Sequence, residues 1–302
     1  MKNEKFSNHK TTLIVLIVII VLILAAISLV LIKRNNTLRW AADGSWNGTV
    51  NTPKLATGMI AVYWDENNEE INQNSSNFDL AKWYDYSNNK WANAKTEDGS
   101  YWVWIPRYEY KIDYKTNGVI QGINEDDSKA GIIDVKFIKT TTTHPASGYI
   151  IHPAFTNNVD AGGWDSELSG IWVAKYQMSM EDNNGIHITT STSAIGNVAL
   201  SDTVKAVSKP GVSSWICINI ANCYENSRNY GDSIGHPEYE SHLMKNSEWG
   251  AVVYLTHSKY GRNGVEVSIN NNTSYLTGGG EGTAYAIANT AQSSTGNPSR
   301  NI

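Results

Sequence analysis

Five groups of residues in this chain have the types and spacing that chemistry uses. Gly231-Asp232-Ser233-Ile234-Gly235 satisfies the Gly-x-Ser-x-Gly pattern of a hydrolase nucleophile elbow, with His236 beside it. An elbow works when a strand delivers the serine and a helix carries the chain away, leaving the hydroxyl exposed on a strained turn. Here a helical stretch precedes Gly231 and Pro237 follows, so the pattern reads as a glycine-rich turn. Cys217, Cys223, His236 and His242 invite a zinc reading. One turn presents two thiolates to zinc when two to four residues separate them; the five here do not, and no metal site is expected. Asp182-Asn183-Asn184 and Asn124-Glu125-Asp126-Asp127 carry oxygen ligands of the kind calcium takes, without a twelve-residue loop that ends in a bidentate Glu. They read as solvated turns, with calcium as the alternative. Gly278 to Gly282 lacks the Gly-Lys-Ser/Thr ending of a phosphate loop and reads as a connection.

The fifth group is aromatic. In the run Tyr101 to Ile112, Trp102, Trp104, Tyr108 and Tyr110 recur at even positions, which places them on one face of a strand with Arg107 opposite. Two readings stay open, core packing and an exposed platform for a sugar or a protein. These four are the candidate binding residues. No catalytic residue and no cofactor is expected.

The elements that must position these groups begin with Leu13 to Ile32, an apolar run of 20 residues without charge or proline. As a helix it would be about 30 Å long, the thickness of a bilayer's hydrocarbon core. A single N-terminal transmembrane helix is therefore expected, with the lipid bilayer as its partner. Lys2, Lys5 and Lys10 precede the run and Lys33, Arg34 and Arg39 follow it, so charge does not fix its orientation. With 12 residues before and 270 after, an uncleaved signal anchor is expected, with a single-pass location at the cell membrane and the C-terminal part outside the cytoplasm. Six of the 24 basic residues and one of the 29 acidic ones precede Trp40, leaving 18 against 28, a net charge of −10. Such a balance is unsuited to nucleic acid or anionic lipid. Its large side chains are mostly amphipathic aromatics, 11 Trp and 16 Tyr against 4 Phe, which suit sheet surfaces and ligand platforms.

Beyond the run, residues 40–100 read as a stalk or small β-rich module, and residues 101–302 as a β-rich region with a further domain. The 101–112 run is a β-type stretch whose Pro106 calls for an edge or a bulge. Ile132 to Ile138, Gly148 to His152 and Ile171 to Met178 also read as strands, the last followed by the hairpin signal Asp182-Asn183-Asn184-Gly185. A helix capped by Ser213-Ser214 is expected to run to about Asn229, carrying Cys217 and Cys223 as buried thiols. A second is expected from Asn246 or Ser247 to about Tyr260, with Glu248 in its first turn. Val265 to Ile269 reads as a further strand.

Two resemblances follow from these residues. Thr12-Leu13-Ile14 behind a short basic leader resembles the N-terminal segment of type IV pilin-like proteins, although the Gly of the peptidase cut site and the family's early Glu are missing. Gly170-Ile-Trp-Val-Ala-Lys-Tyr-Gln-Met-Ser179, then Pro210, Val212-Ser-Ser-Trp215 and Cys223, then Leu243-Met-Lys-Asn-Ser-Glu-Trp-Gly-Ala-Val-Val-Tyr254 resemble, in order, three blocks of the formylglycine-generating, or sulfatase-modifying, enzyme family. That likeness covers about the first half of the family's domain, residues 165–297. It implies an α+β chain with an incomplete C-type-lectin-like domain. The family's active cysteines belong to the half not matched, so no catalytic role passes to Cys217 or Cys223. The expected function is a membrane-anchored, non-catalytic domain that binds a glycan or protein ligand at a surface. The alternatives are a relative of the formylglycine-type cysteine oxidases that needs its missing half, and a pilin-like surface subunit.

Overall fold

The computed structural model describes residues 15–28, 42–113, 115–116, 119–120 and 132–261. Residues 15–28 are helical and belong to helix α1, and all 14 are exposed. Among the described residues no helix is long and apolar enough to cross a membrane, which corrects the expected transmembrane helix over 13–32.

The rest is α+β, made of short antiparallel strands. In chain order these are β1 (Ile60–Trp64), β2 (Glu70–Asn72), β3 (Asn93–Lys95), β4 (Tyr101–Pro106), β5 (Tyr108–Asp113), β6 (Lys115–Thr116), β7 (Val119–Ile120), β8 (Ile132–Phe137), β9 (Ile150–Ile151), β10 (Gly170–Ala174), β11 (Ser179–Glu181), β12 (His187–Ile188) and β13 (Lys205–Val207). The helices after α1 are α2 (Leu80–Trp83), α3 (Ser193–Gly196), α4 (Ile220–Arg228), α5 (Tyr230–Ser233) and α6 (Asn246–Thr256). The largest sheet has the order β10-β4-β3-β1-β2; smaller sheets are β8-β5-β9, β12-β11-β13 and β6-β7. The five-stranded sheet takes β1 to β3 from one side of the expected boundary at residue 100 and β4 and β10 from the other. That boundary therefore runs through continuous hydrogen bonding: Asn93 pairs with Val103, and Val103 pairs with Val173.

The 101–112 run is two strands in two sheets. Pro106 ends β4 opposite Gly170, and Arg107 turns the chain into β5. A side chain at Gly170 would place its Cβ 2.5 Å from a Trp104 ring carbon and 2.6 Å from the Ile105 carbonyl oxygen, so only glycine fits this register. Arg107 is wholly buried. Its backbone N–H donates to Ser169 O at 2.9 Å, and its guanidinium donates to Thr142 O at 2.9 Å and to Phe155 O, and pairs with Glu167 at 2.5 Å. A buried guanidinium is tolerated where its fork of donors meets several acceptors at once. Residues 107, 142, 155 and 167 are thereby held together around one charge.

A single apolar cluster joins both larger sheets to α6, with Trp83, Val103, Trp104, Ile105, Tyr108, Val135, Phe155, Ala251 and Leu255 among its members. Short polar turns close the strands. Asp182 accepts N–H groups from Asn184 (2.9 Å) and Ile186 (2.8 Å), and Gly185 adopts φ 75°, so the hairpin signal between β11 and β12 is correct. The helix expected from Ser213 starts later. Cys217 has φ 58°, a left-handed backbone that no α-helix contains, and α4 begins only after Asn219, whose side chain caps the N–H of Asn222 at 2.8 Å. Cys217 is consequently exposed and Cys223 half-buried, both as free thiols, which corrects the expectation of two buried ones.

Candidate functional site

Helix α6 divides its faces between core and groove. Glu248, Ala251 and Leu255, spaced i, i+3 and i+7, are buried. Asn246, Trp249, Gly250, Val253 and Tyr254 share the adjoining face and form one wall of an open groove of about 680 Å³. The other walls come from Tyr110 on β5, from His152-Pro153 and from Ala161-Gly162. Trp249 is 59 % exposed, an unusual position for the largest apolar side chain.

The floor of the groove is aromatic and uncharged. His152 is almost wholly buried among the rings of Tyr108 (5.2 Å), Tyr110 (5.5 Å), Tyr254 (5.3 Å) and Phe155 (6.0 Å). Burial pushes its imidazole down to about 4, so it is neutral at pH 7. The N–H of Ala154 donates to its Nδ1 at 3.3 Å, which leaves the ring proton on Nε2. A Cβ added at Gly250 would stand 3.6 Å from that Nε2, in ordinary van der Waals contact, so the helix passes close over the imidazole. Tyr110 and Tyr254 meet edge to face at 4.8 Å beside it.

The polar end is the first turn of α6. Glu248 is buried, and its Oε2 accepts the Lys245 N–H at 2.8 Å, which closes the helix N-terminus. The same carboxylate holds His242 Nε2 at 3.0 and 3.1 Å, and this contact raises the His242 pKa above its ordinary value against the opposing effect of burial. Ser247 Oγ donates to Gly162 O at 2.6 Å, and Lys245 Nζ donates to Gly163 O at 2.9 Å while lying 3.4 Å from the Trp164 ring centroid. Both contacts fasten α6 to the 162–164 turn, so the groove is fixed before any ligand arrives.

Of the four aromatics singled out in the sequence, only Tyr110 reaches this groove. Trp104 and Tyr108 are buried in the core, Trp104 donating to Asn51 O at 3.3 Å and Tyr108 donating to Ala251 O at 2.7 Å. Trp102 is half-buried, packs 5.3 Å from Tyr230 and donates to Thr96 Oγ1 at 3.1 Å. The break at Pro106-Arg107 sends the four rings to different places, so they form no common platform. Ser233 lies in α5 with its hydroxyl donating to Tyr230 O at 2.7 Å, and no strand delivers it. His236 stacks on Tyr239 and sits 2.9 Å from Glu238. Among the described residues no three His, Cys, Asp or Glu gather to hold a metal. The carboxylate of Asp182 is engaged by its own turn, and those hydrogen bonds hold its pKa below the usual range. The Asn124 to Asp127 cluster and the Gly278 to Gly282 connection lie outside the described residues.

Sequence reasoning did not single out His152 or Trp249. The signal for Trp249 was present as Asn246, Trp249, Gly250 and Val253 at helical spacing beside a second, apolar stripe, a helix with two occupied faces. His152 carries no such pattern. No family model, no curated protein and no solved structure matches this chain.

Proposed function

We propose that this chain is a non-catalytic binding module that takes a carbohydrate in the groove between α6 and β5. The observation that carries the reading is Trp249, held exposed at the lip of a rigid groove of about 680 Å³ with further aromatic rings in its wall and floor. Aromatic faces pack against the C–H faces of sugar rings, while neighbouring amide and hydroxyl groups take up hydroxyl hydrogen bonds; Asn246 supplies an exposed amide beside Trp249. A neutral His152 suits an uncharged ligand. Nothing in the groove pairs a nucleophile with a base, which favours binding over turnover.

The test is a screen of the full chain against an array of soluble oligosaccharides, repeated with Trp249→Ala. The expected result is saturable binding of at least one saccharide that weakens by about tenfold or more in the variant, the scale of one stacking contact. Binding that ignores the substitution, or no binding across the array, overturns the reading. Because Trp249 is solvent-exposed, its loss leaves the fold intact, as a superimposable circular dichroism spectrum will check.

A further inference from the structure

Away from the groove, on the five-stranded sheet, a lysine is placed without the partner its charge calls for. Lys175 extends β10 by one residue, its backbone N–H donating to Tyr101 O at 2.9 Å. Its Nζ donates to Asn93 Oδ1 at 2.7 Å and lies 4.4 Å from the centroid of the Trp64 ring. Trp64 packs 5.5 Å from Tyr101, and Tyr101 packs 6.3 Å from Tyr176, so the amine sits in an aromatic setting. The titratable groups on neighbouring strands satisfy one another. Lys95 Nζ bonds both oxygens of Glu70, at 3.0 and 3.1 Å, and the Tyr101 hydroxyl donates to the same carboxylate.

Among the described residues no carboxylate lies within ion-pairing distance of Lys175. An ammonium that has lost water and gained only a neutral amide and a ring face is under-solvated, and burial pushes this amine down to about 7. The Trp64 face opposes the shift, since a π-system favours a cation, but it offers no hydrogen bond in place of the lost water. Lys175 is half-buried and not sealed from solvent.

We propose that Lys175 is a modification site, a reactive amine that takes small carbonyl compounds, aldehydes and open-chain reducing sugars, as imines. The Nζ lone pair adds to the carbonyl carbon, one proton passes from nitrogen to the carbonyl oxygen, and the resulting hydroxyl leaves with the second nitrogen proton as water while the C=N bond forms. The step consumes no oxidant or reductant and is reversible. Asn93 orients the amine through its remaining N–H, and the absence of a nearby carboxylate keeps the lone pair available.

The experiment uses glycolaldehyde with cyanoborohydride, which reduces the imine to a stable secondary amine that peptide mass mapping locates. Lys82 and Lys139, both exposed, serve as internal references. An ordinary lysine near 10.4 holds less than about a thousandth of its amine as free base at pH 7, whereas Lys175 holds about half. Lys175 is therefore expected to react about tenfold faster than either reference at pH 7, after allowance for its lower exposure, and to lose that lead at pH 10.5. Asn93→Asp places a carboxylate beside Nζ and is expected to bring the pH 7 rate down to that of the references. Modification of wild-type Lys175 no faster than Lys82 and Lys139 at pH 7 overturns the proposal, as does an undiminished rate in a folded Asn93→Asp protein. The readout does not depend on the groove, so it stands or falls separately from carbohydrate binding.

Discussion

Arg107 carries a full positive charge with none of its surface exposed, and the chain near residues 142, 155 and 167 meets on it. Replacing it with Met keeps much of the volume but leaves Glu167 without its cation and the Thr142 carbonyl without its donor, while Phe155 O keeps only the Leu168 N–H. Breaking a buried pair in this way costs about 3–5 kcal/mol, which urea denaturation of Arg107→Met will measure; a loss below about 1 kcal/mol would contradict the hub role. His152 makes the second prediction at this scale. Its folded pKa, about 4, lies below the unfolded value near 6.5, so the unfolded chain binds the extra proton first. The stability it contributes is fully present above pH 6.5 and is lost as pH falls through 4, up to about 3 kcal/mol in all. His152→Phe, which keeps an aromatic ring in the cluster, is expected to flatten the decline between pH 6.5 and 4. Equal acid sensitivity in the two proteins would show that other groups control it.

Helix α6 is the element through which core and groove are coupled. Its N-terminus is closed by Glu248, and Glu248 is in turn held by His242. The folded pKa of His242 is raised, so its contribution is present below the unfolded value near 6.5 and is lost as pH rises through the folded value, opposite in sign to that of His152. His242→Gln should therefore cost stability at pH 6 and much less at pH 9, as thermal melts at the two values will report. Gly250 costs this helix about 1 kcal/mol relative to Ala, and the added Cβ would make only ordinary contact with His152 at 3.6 Å. Gly250→Ala should stabilise the protein by up to about 1 kcal/mol and weaken ligand binding by filling the groove floor, a pairing of effects that neither propensity nor occlusion alone produces. In the sheet the same substitution has the opposite sign. At Gly170 the new methyl would meet the Trp104 ring at 2.5 Å, and Gly170→Ala should separate β10 from β4 and lower stability.

At the scale of the molecule, local signals were legible where one residue type fixes the backbone. The Asp182 to Gly185 turn, the strands at Ile132 and Ile150 and the start of α6 at Asn246 all lie where their patterns placed them. What the pattern could not convey was partnership. The alternation across Trp102 to Tyr110 is real in both halves, yet Pro106 and the buried Arg107 assign those halves to different sheets, which period two cannot express. Ile216 and Ile220, before and at the first position of α4, are 55 % and 73 % exposed, and the left-handed turn at Cys217 starts that helix later than its cap signal at Ser213 placed it. The groove was invisible for a related reason: its walls are contributed by β5, the 152–162 segment and α6, brought together by tertiary packing alone. The most direct test of the account is a nuclear magnetic resonance titration of the tryptophan indole N–H signals with the best saccharide from the array. The account predicts that the Trp249 signal shifts saturably while those of the buried Trp83 and Trp104 stay in place. A saturable shift at Trp102 or Trp172 with Trp249 unmoved would place the ligand on the sheet and contradict the groove.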